Sequence, residues 1–428
     1  MAQTFEPSNG PTILSRGGTA GSVGSEPTSL TFTAGVNAIY DNGLISIPTS
    51  TQTLNSQASG YGVEARATLF GTRRFKRSSL GISYSGSYQK YNLGIYDGTN
   101  QSLQLTFNQQ LSKKFELGYN LTAGTSNLPA GNGLGLDLLA NANSGDPNLL
   151  AVPVQELFNI RTTSVQGGFG MTYRFNNRLS FRLSANGYGV RRDIKSLGGV
   201  NGYSGKADLA YRFSKRTTVS VSYNFNHMEY PGAFGASDIH TMSASYARGI
   251  GRDWQLSLGG GVSRVESLGL ARVELDPFVA ALLGQSSGVE AFYSLHLVPN
   301  LNGNLTRTFR TGNLIFNASK TVVPGNGLFL TSQSTNFGGS YAYTGIRDWS
   351  LRATLAYTKY STLTRTMGQY TGANFGAGVS RKIYRTVFLD ANFLYRDQII
   401  AQGSYSHNGS RLSAGLAWSP KSVPLSIW

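Results

Sequence analysis

The stretch Ile346-Arg347-Asp348-Trp349-Ser350-Leu351-Arg352-Ala353-Thr354-Leu355-Ala356-Tyr357-Thr358 decides the fold. After the polar pair Arg347-Asp348, the residues Trp349, Leu351, Ala353, Leu355 and Tyr357 alternate with Arg352, Thr354 and Thr358. A period of two marks an extended strand with one apolar and one polar face. Length says where such a strand belongs. Tilted strands of about ten residues cross a hydrocarbon core, whereas sandwich strands in soluble proteins run nearer five or six.

Outward from this stretch the pattern recurs in both directions. Leu103, Leu105, Phe107 and Leu111 alternate with Gln104, Thr106, Asn108 and Gln110. Val165, Phe169, Met171, Tyr173 and Phe175 alternate with Gln166, Thr172 and Arg174, and Val219, Val221, Tyr223 and Phe225 with Ser220, Ser222, Asn224 and Asn226. Val387, Leu389, Ala391, Phe393 and Tyr395 repeat it near the C-terminus. The breaks alternate between short and long. Short ones are 71–78, 113–114, 176–178, 215–216, 251–253, 310–312, 347–348 and 384–385; long ones fall near 42–57, 92–100, 124–160, 192–201, 230–237, 267–290, 324–332, 361–370 and 398–408. Eight short and nine long connections join eighteen strands, or sixteen if the weaker segments 301–309 or 313–323 are not strands. An even count puts both chain ends on the short-turn side. The expected fold is an all-β, antiparallel, up-and-down transmembrane barrel over 29–418, with a flexible extension at 1–28 and a tail at 419–428.

Composition agrees. The chain has 53 Gly, 23 Tyr and 22 Phe, only 14% charged residues, and a mean hydropathy of −0.19. No run of 18 apolar residues suits a transmembrane helix. Low bulk hydrophobicity with many aromatics fits strands that are apolar on one face only. There is no cysteine, so no disulfide framework or thiolate metal site. The start Met1-Ala2-Gln3-Thr4-Phe5 lacks a basic and an apolar leader region, and the expectation is a removed leader with Met1 placed on a mature start.

On strand length, alternation and turn asymmetry the chain resembles the bacterial outer-membrane β-barrel superfamily, over roughly residues 29–418. The resemblance implies an integral outer-membrane location with both termini periplasmic. It also implies a last strand whose aromatic end is read by the barrel assembly machinery. Leu412, Ala414, Leu416 and Trp418 form that strand, and Pro420 and Pro424 precede Ile427-Trp428, which leaves open whether Trp418 or Trp428 is the signal. Gly251-Arg252-Asp253-Trp254-Gln255-Leu256 nearly repeats the words of 346–351. Trp254, Trp349 and Trp418 thus stand at strand ends, where belt residues meet lipid headgroups.

Residues opposite the apolar face line the lumen. They include Arg66, Arg174, Arg182, Lys206, Arg212, Arg352 and Arg396 with Glu64, Glu116, Asp208 and Asp390. An excess of Arg and Lys favours anions; mutual pairing would instead neutralise the wall. The net charge is +16. The short turns, with the last taken as 382–385, hold fourteen Lys or Arg against Asp253 and Asp348, while the long loops carry eight acidic residues against Arg192, Lys195, Arg272 and Arg365. The basic rim suits anionic phospholipid headgroups, or a funnel gathering an anionic solute or polymer. Nucleic acid is not needed to explain it.

The longest loop, 124–160, is the third outer one, and 134–139 and 153–158 read as short helical turns. In general porins, which the chain resembles here, the third loop folds inward and narrows the pore. Asp137, Asp146 and Glu156 would then face the basic wall; the alternative is a lid over the mouth. Asp276 before Pro277 caps another short helix. His227 and His240 flank 230–237 and, with no carboxylate or Cys in the ligand set, read as rim residues rather than a metal site. No catalytic constellation and no cofactor is expected. The expected function is an outer-membrane pore passing small hydrophilic, preferably anionic, solutes. The alternatives are a channel exporting acidic exopolysaccharide, whose barrels an Arg/Lys-rich lumen of eighteen strands resembles, and a non-conducting structural or adhesive barrel. The sequence leaves the oligomeric state open.

Overall fold

Alternating strands become a closed sheet because the first strand finds a neighbour on each edge. In the computed structural model, β1 (Thr28–Leu44) pairs with β2 (Ala58–Arg74) on one side and with β18 (Tyr405–Trp418) on the other. Between them run β3 (Ser78–Tyr91), β4 (Gly98–Gln110), β5 (Phe115–Ser126), β6 (Thr162–Arg174), β7 (Leu179–Arg192), β8 (Val200–Ser214), β9 (Thr217–Glu229) and β10 (Ala236–Ile250). The circuit is completed by β11 (Trp254–Glu274), β12 (Ser287–Phe309), β13 (Gly312–Val323), β14 (Ser332–Tyr343), β15 (Trp349–Thr362), β16 (Gln369–Lys382) and β17 (Val387–Ile400). Each strand is antiparallel to the next. The structure describes residues 28–44, 58–127, 161–193, 199–231, 235–274, 287–324, 330–363, 369–400 and 405–420.

The count is eighteen, and both weak segments are strands: 301–309 lies in β12, and 313–323 in β13. Thr28 and Trp418 both lie at the short-turn end, where Ser419 Oγ donates to the Phe32 carbonyl at 3.2 Å. One expected loop is shorter than read. Residues 267–274 and 287–290 extend β11 and β12, whose ladder continues to Glu274 opposite Ser287. Because β12 meets β13 only from Leu301 to Phe309, this hairpin rises past its neighbour.

Parity sets the two faces. Val36, Val63, Leu121, Val221, Leu297, Leu355 and Leu412 point outward and are exposed. Soluble proteins rarely display so many large apolar residues on one continuous surface. This band lies between outward aromatics at both ends: Trp254, Trp349 and Trp418 near the short turns, and Tyr40, Tyr61, Tyr88, Tyr203 and Tyr293 toward the long loops. The two similar turns differ in backbone. Gly251 takes a φ of 66° in one and Asp348 a φ of 62° in the other, so the left-handed residue sits at different places in matching words.

Candidate functional site: the barrel interior

The interior wall is built from every second residue of each strand, so register decides which charges meet. All eleven lumen residues named from the sequence lie on inward positions. Glu64 stands opposite Asn37 and Gln89, Arg182 opposite Asp208, and Arg352 opposite Gly378. Arg174 Nη2 donates to Glu116 Oε2 at 2.9 Å between adjacent strands. Near the short-turn mouth, Arg212 donates to the carbonyls of Ser214 and Lys215 at 3.2 and 3.0 Å.

A denser cluster spans the seam where β1 meets β18. Arg66 of β2 pairs with Asp390 of β17, reaching over both seam strands. Gly35 makes the path: a Cβ there would stand 3.1 Å from Arg66 Nε. Glu64 accepts from Arg411 of β18 at 3.2 Å, Gln89 of β3 at 3.1 Å and Asn37 of β1 at 3.5 Å, so one carboxylate ties four strands. Arg396 of β17 binds Asp41 of β1 at 2.5 Å and the Gly43 carbonyl at 3.3 Å, and His407 Nε2 donates to that carbonyl at 3.1 Å. Arg352 comes to β17 from the other side, lying against Gly378 with Nη2 3.3 Å from Asn392 Oδ1. Paired charges therefore make up much of this wall. Asp41, Gln89, His407 and Arg411 were not among the residues read from sequence, although the inward parity of Arg411 was visible in the alternation with Leu412.

The opposite wall differs. Inward positions of β9 to β11 carry hydroxyl pairs, including Ser220–Ser245 at 2.7 Å, Ser222–Ser243 at 2.8 Å and Thr241–Ser263 at 2.8 Å. Toward the long-loop end the inward wall of β7 to β12 turns apolar. Val190, Val200, Met228, Ile239, Val265 and Val298 are all less than a tenth exposed and form one cluster with Tyr188 and Tyr230. Tyr230, just past β9, holds its hydroxyl 2.9 Å from Thr331, and burial raises its pKa far above the ordinary tyrosine value.

Trp254, Trp349 and Trp418 stand on outward positions at the short-turn end. Arg307 lies 4.8 Å from the Trp254 ring, Arg381 lies 5.0 Å from Trp349, and Phe32 meets Trp418 edge-on at 5.9 Å. Asp137, Asp146, Glu156 and the short helices expected at 134–139, 153–158 and 276–283 lie outside the described residues, as does Trp428. Contrary to the expectation from sequence, His227 is not without carboxylate neighbours: Nδ1 is 2.7 Å from Asp238 and Nε2 is 3.2 Å from Glu229. This group faces outward, and His240 Nδ1 meets the Tyr223 hydroxyl at 2.7 Å. Among the described residues no group of three or more His, Cys, Asp or Glu is arranged to hold a metal ion.

No protein-family model matches the chain, and no curated protein matches its sequence. Among solved structures it is similar to a BenF-like porin from Pseudomonas fluorescens Pf-5, at 10% identity and a TM-score of 0.45 over 92% of this chain and 99% of that one. It is similar to the outer membrane protein opdK from Pseudomonas aeruginosa at 11% identity and a TM-score of 0.42, over 91% of this chain and 99% of that one. The open form of the ferric-catecholate import receptor Fiu from E. coli K12 aligns at 8% identity and a TM-score of 0.43, over 90% of this chain and 81% of that one.

Proposed function

We propose that the chain is an outer-membrane pore that passes small hydrophilic solutes and prefers anions, with its short turns and both termini on the periplasmic side. One observation carries the reading: the sheet closes on itself with an apolar outward band between aromatic belts and a polar inward wall. Closure gives every strand a paired neighbour on each side, and a bilayer demands a sheet without an open edge. Eighteen strands are enough to enclose an aqueous channel. The anion preference rests on Arg352 and Arg212, inward guanidiniums with no carboxylate in ion-pair reach among the described residues. Liposome swelling tests the proposal. Vesicles carrying the barrel should admit small organic anions faster than neutral solutes of equal size, and cations slowest. Equal rates would remove the anion preference, and no swelling would remove the pore.

A second reading is favoured by the apolar cluster of Val190, Val200, Met228 and Val265. An apolar patch on the inward wall offers hydrated ions no replacement for water, and narrow apolar constrictions gate by dewetting. In that case the barrel is a structural or adhesive surface protein. The same vesicles then stay osmotically intact while the barrel is folded in them.

A further inference from the structure

We propose that outward arginines at the short-turn rim form a collar that binds the phosphates of anionic phospholipid headgroups; this rests on the reading that the barrel is embedded in a bilayer. Arg73, Arg248, Arg307 and Arg381 occupy outward positions within a few residues of short turns, opposite the apolar outward residues Leu80, Leu256, Leu314 and Leu389. Three of them rest on rings. Arg73 is 5.1 Å from Phe75, Arg381 is 5.0 Å from Trp349, and Arg307 lies between Trp254 at 4.8 Å and Phe309 at 4.4 Å.

Among the described residues none of the four has an ion-pair partner. At the other rim some outward charges are matched within the chain, whereas Lys90, Arg191 and Lys359 have no ion-pair partner there among the described residues. Arg264 meets Glu266 at 2.6 Å, His227 meets Asp238 at 2.7 Å, and Tyr293 donates to Glu266 at 2.8 Å. At the short-turn rim the collar guanidiniums stand at the depth of the Trp residues with no carboxylate partner among the described residues. A guanidinium held on a ring face can still offer its terminal N–H groups, whose spacing matches two phosphate oxygens at once. Lys76, Arg77, Lys113, Lys114 and Arg252 in the turns themselves extend the positive field. Phosphatidylglycerol, which has no headgroup amine to cancel its phosphate, fits this collar better than phosphatidylcholine.

The test is reconstitution of the full chain in nanodiscs of equal phosphatidylcholine and phosphatidylglycerol, followed by native mass spectrometry of lipids retained on the released barrel. Wild type should retain phosphatidylglycerol in about fivefold excess or more, the effect expected of one basic residue near a charged surface. The triple variant Arg73→Gln, Arg307→Gln, Arg381→Gln should lose that excess, while Arg264→Gln at the other rim keeps it. Equal retention of the two lipids by wild type, which needs no variant, overturns the collar alone. So does an undiminished excess in a folded triple variant. Failure of the barrel to enter discs of any composition overturns the bilayer reading and the collar with it.

Discussion

Arg396 of β17 and Asp41 of β1 are ion-paired at 2.5 Å across the intervening β18, with side-chain exposures of 1% and 0%. The pair crosses the one junction in the barrel that joins strands far apart in sequence. The β1–β18 ladder there runs only from Ala34 opposite Trp418 to Asp41 opposite Arg411. Arg66–Asp390 and Arg411–Glu64 cross the same junction. Adjacent strands elsewhere follow one another directly in the chain and are tethered by a single turn or loop. The seam has no such tether, and inward ion pairs reinforce it.

Breaking the buried pair should therefore cost more than breaking a surface one. Asp41→Asn leaves a guanidinium buried without its carboxylate, and such losses run to about 3–5 kcal/mol. The urea midpoint of the folded barrel, followed by tryptophan fluorescence, should fall accordingly. The double variant Asp41→Asn, Arg396→Gln should lose less than the sum of the single changes. A single-variant loss within about 0.5 kcal/mol, the range of neutral surface changes, would show that the pair does not hold the seam.

Gly415 predicts a steric contrast. A Cβ there would overlap the Val36 carbonyl oxygen and the Asn37 amide on the seam partner β1, whereas a Cβ on Gly205 in β8 meets nothing within 4 Å. Gly415→Val should prevent closure and abolish the compact, heat-modifiable form on gels. Gly205→Ala should leave that form unchanged. Equal behaviour of the two would contradict the seam geometry.

The wall charges should set selectivity. Reversing Arg182, Arg212 and Arg352 together to Glu should move the reversal potential in a salt gradient toward that of cations. The expected shift is larger than for reversing Arg264, which faces outward. No shift would mean that these three do not line the conducting path.

The Trp belt should be coupled to its arginines. A double-mutant cycle between Trp349 and Arg381, 5.0 Å apart, should return about 0.5–1 kcal/mol, the usual strength of an exposed cation–ring contact. Additive losses would mean that the stacking is incidental.

Much of the architecture was legible because alternation and break length are local. Each strand shows its two faces without reference to its neighbours, so Glu64, Arg66 and Arg396 could be placed on the inward side. Height around the barrel is not local. Nothing in the segment around Arg66 says that it meets Asp390, 324 residues later, because that depends on how the first and last strands register. Asp41 fell at the edge of an expected loop, since the extra residue at the Asp41/Leu44 irregularity breaks the period. His227 appeared to lack carboxylates because Asp238 reaches it across the hairpin, where pairing rather than sequence distance brings them together. The long 267–290 break concealed strand ends, because Gly269 and the mixed polarity of 271–274 blur alternation.

Planar-bilayer conductance of the purified, folded barrel tests the central claim most directly. A pore predicts discrete, long-lived steps that scale with salt concentration, and a reversal potential in a potassium chloride gradient on the chloride side of zero selectivity. Folded barrels inserted in the membrane without conductance would contradict the pore, and would favour the reading in which the apolar cluster around Met228 and Val265 closes the interior.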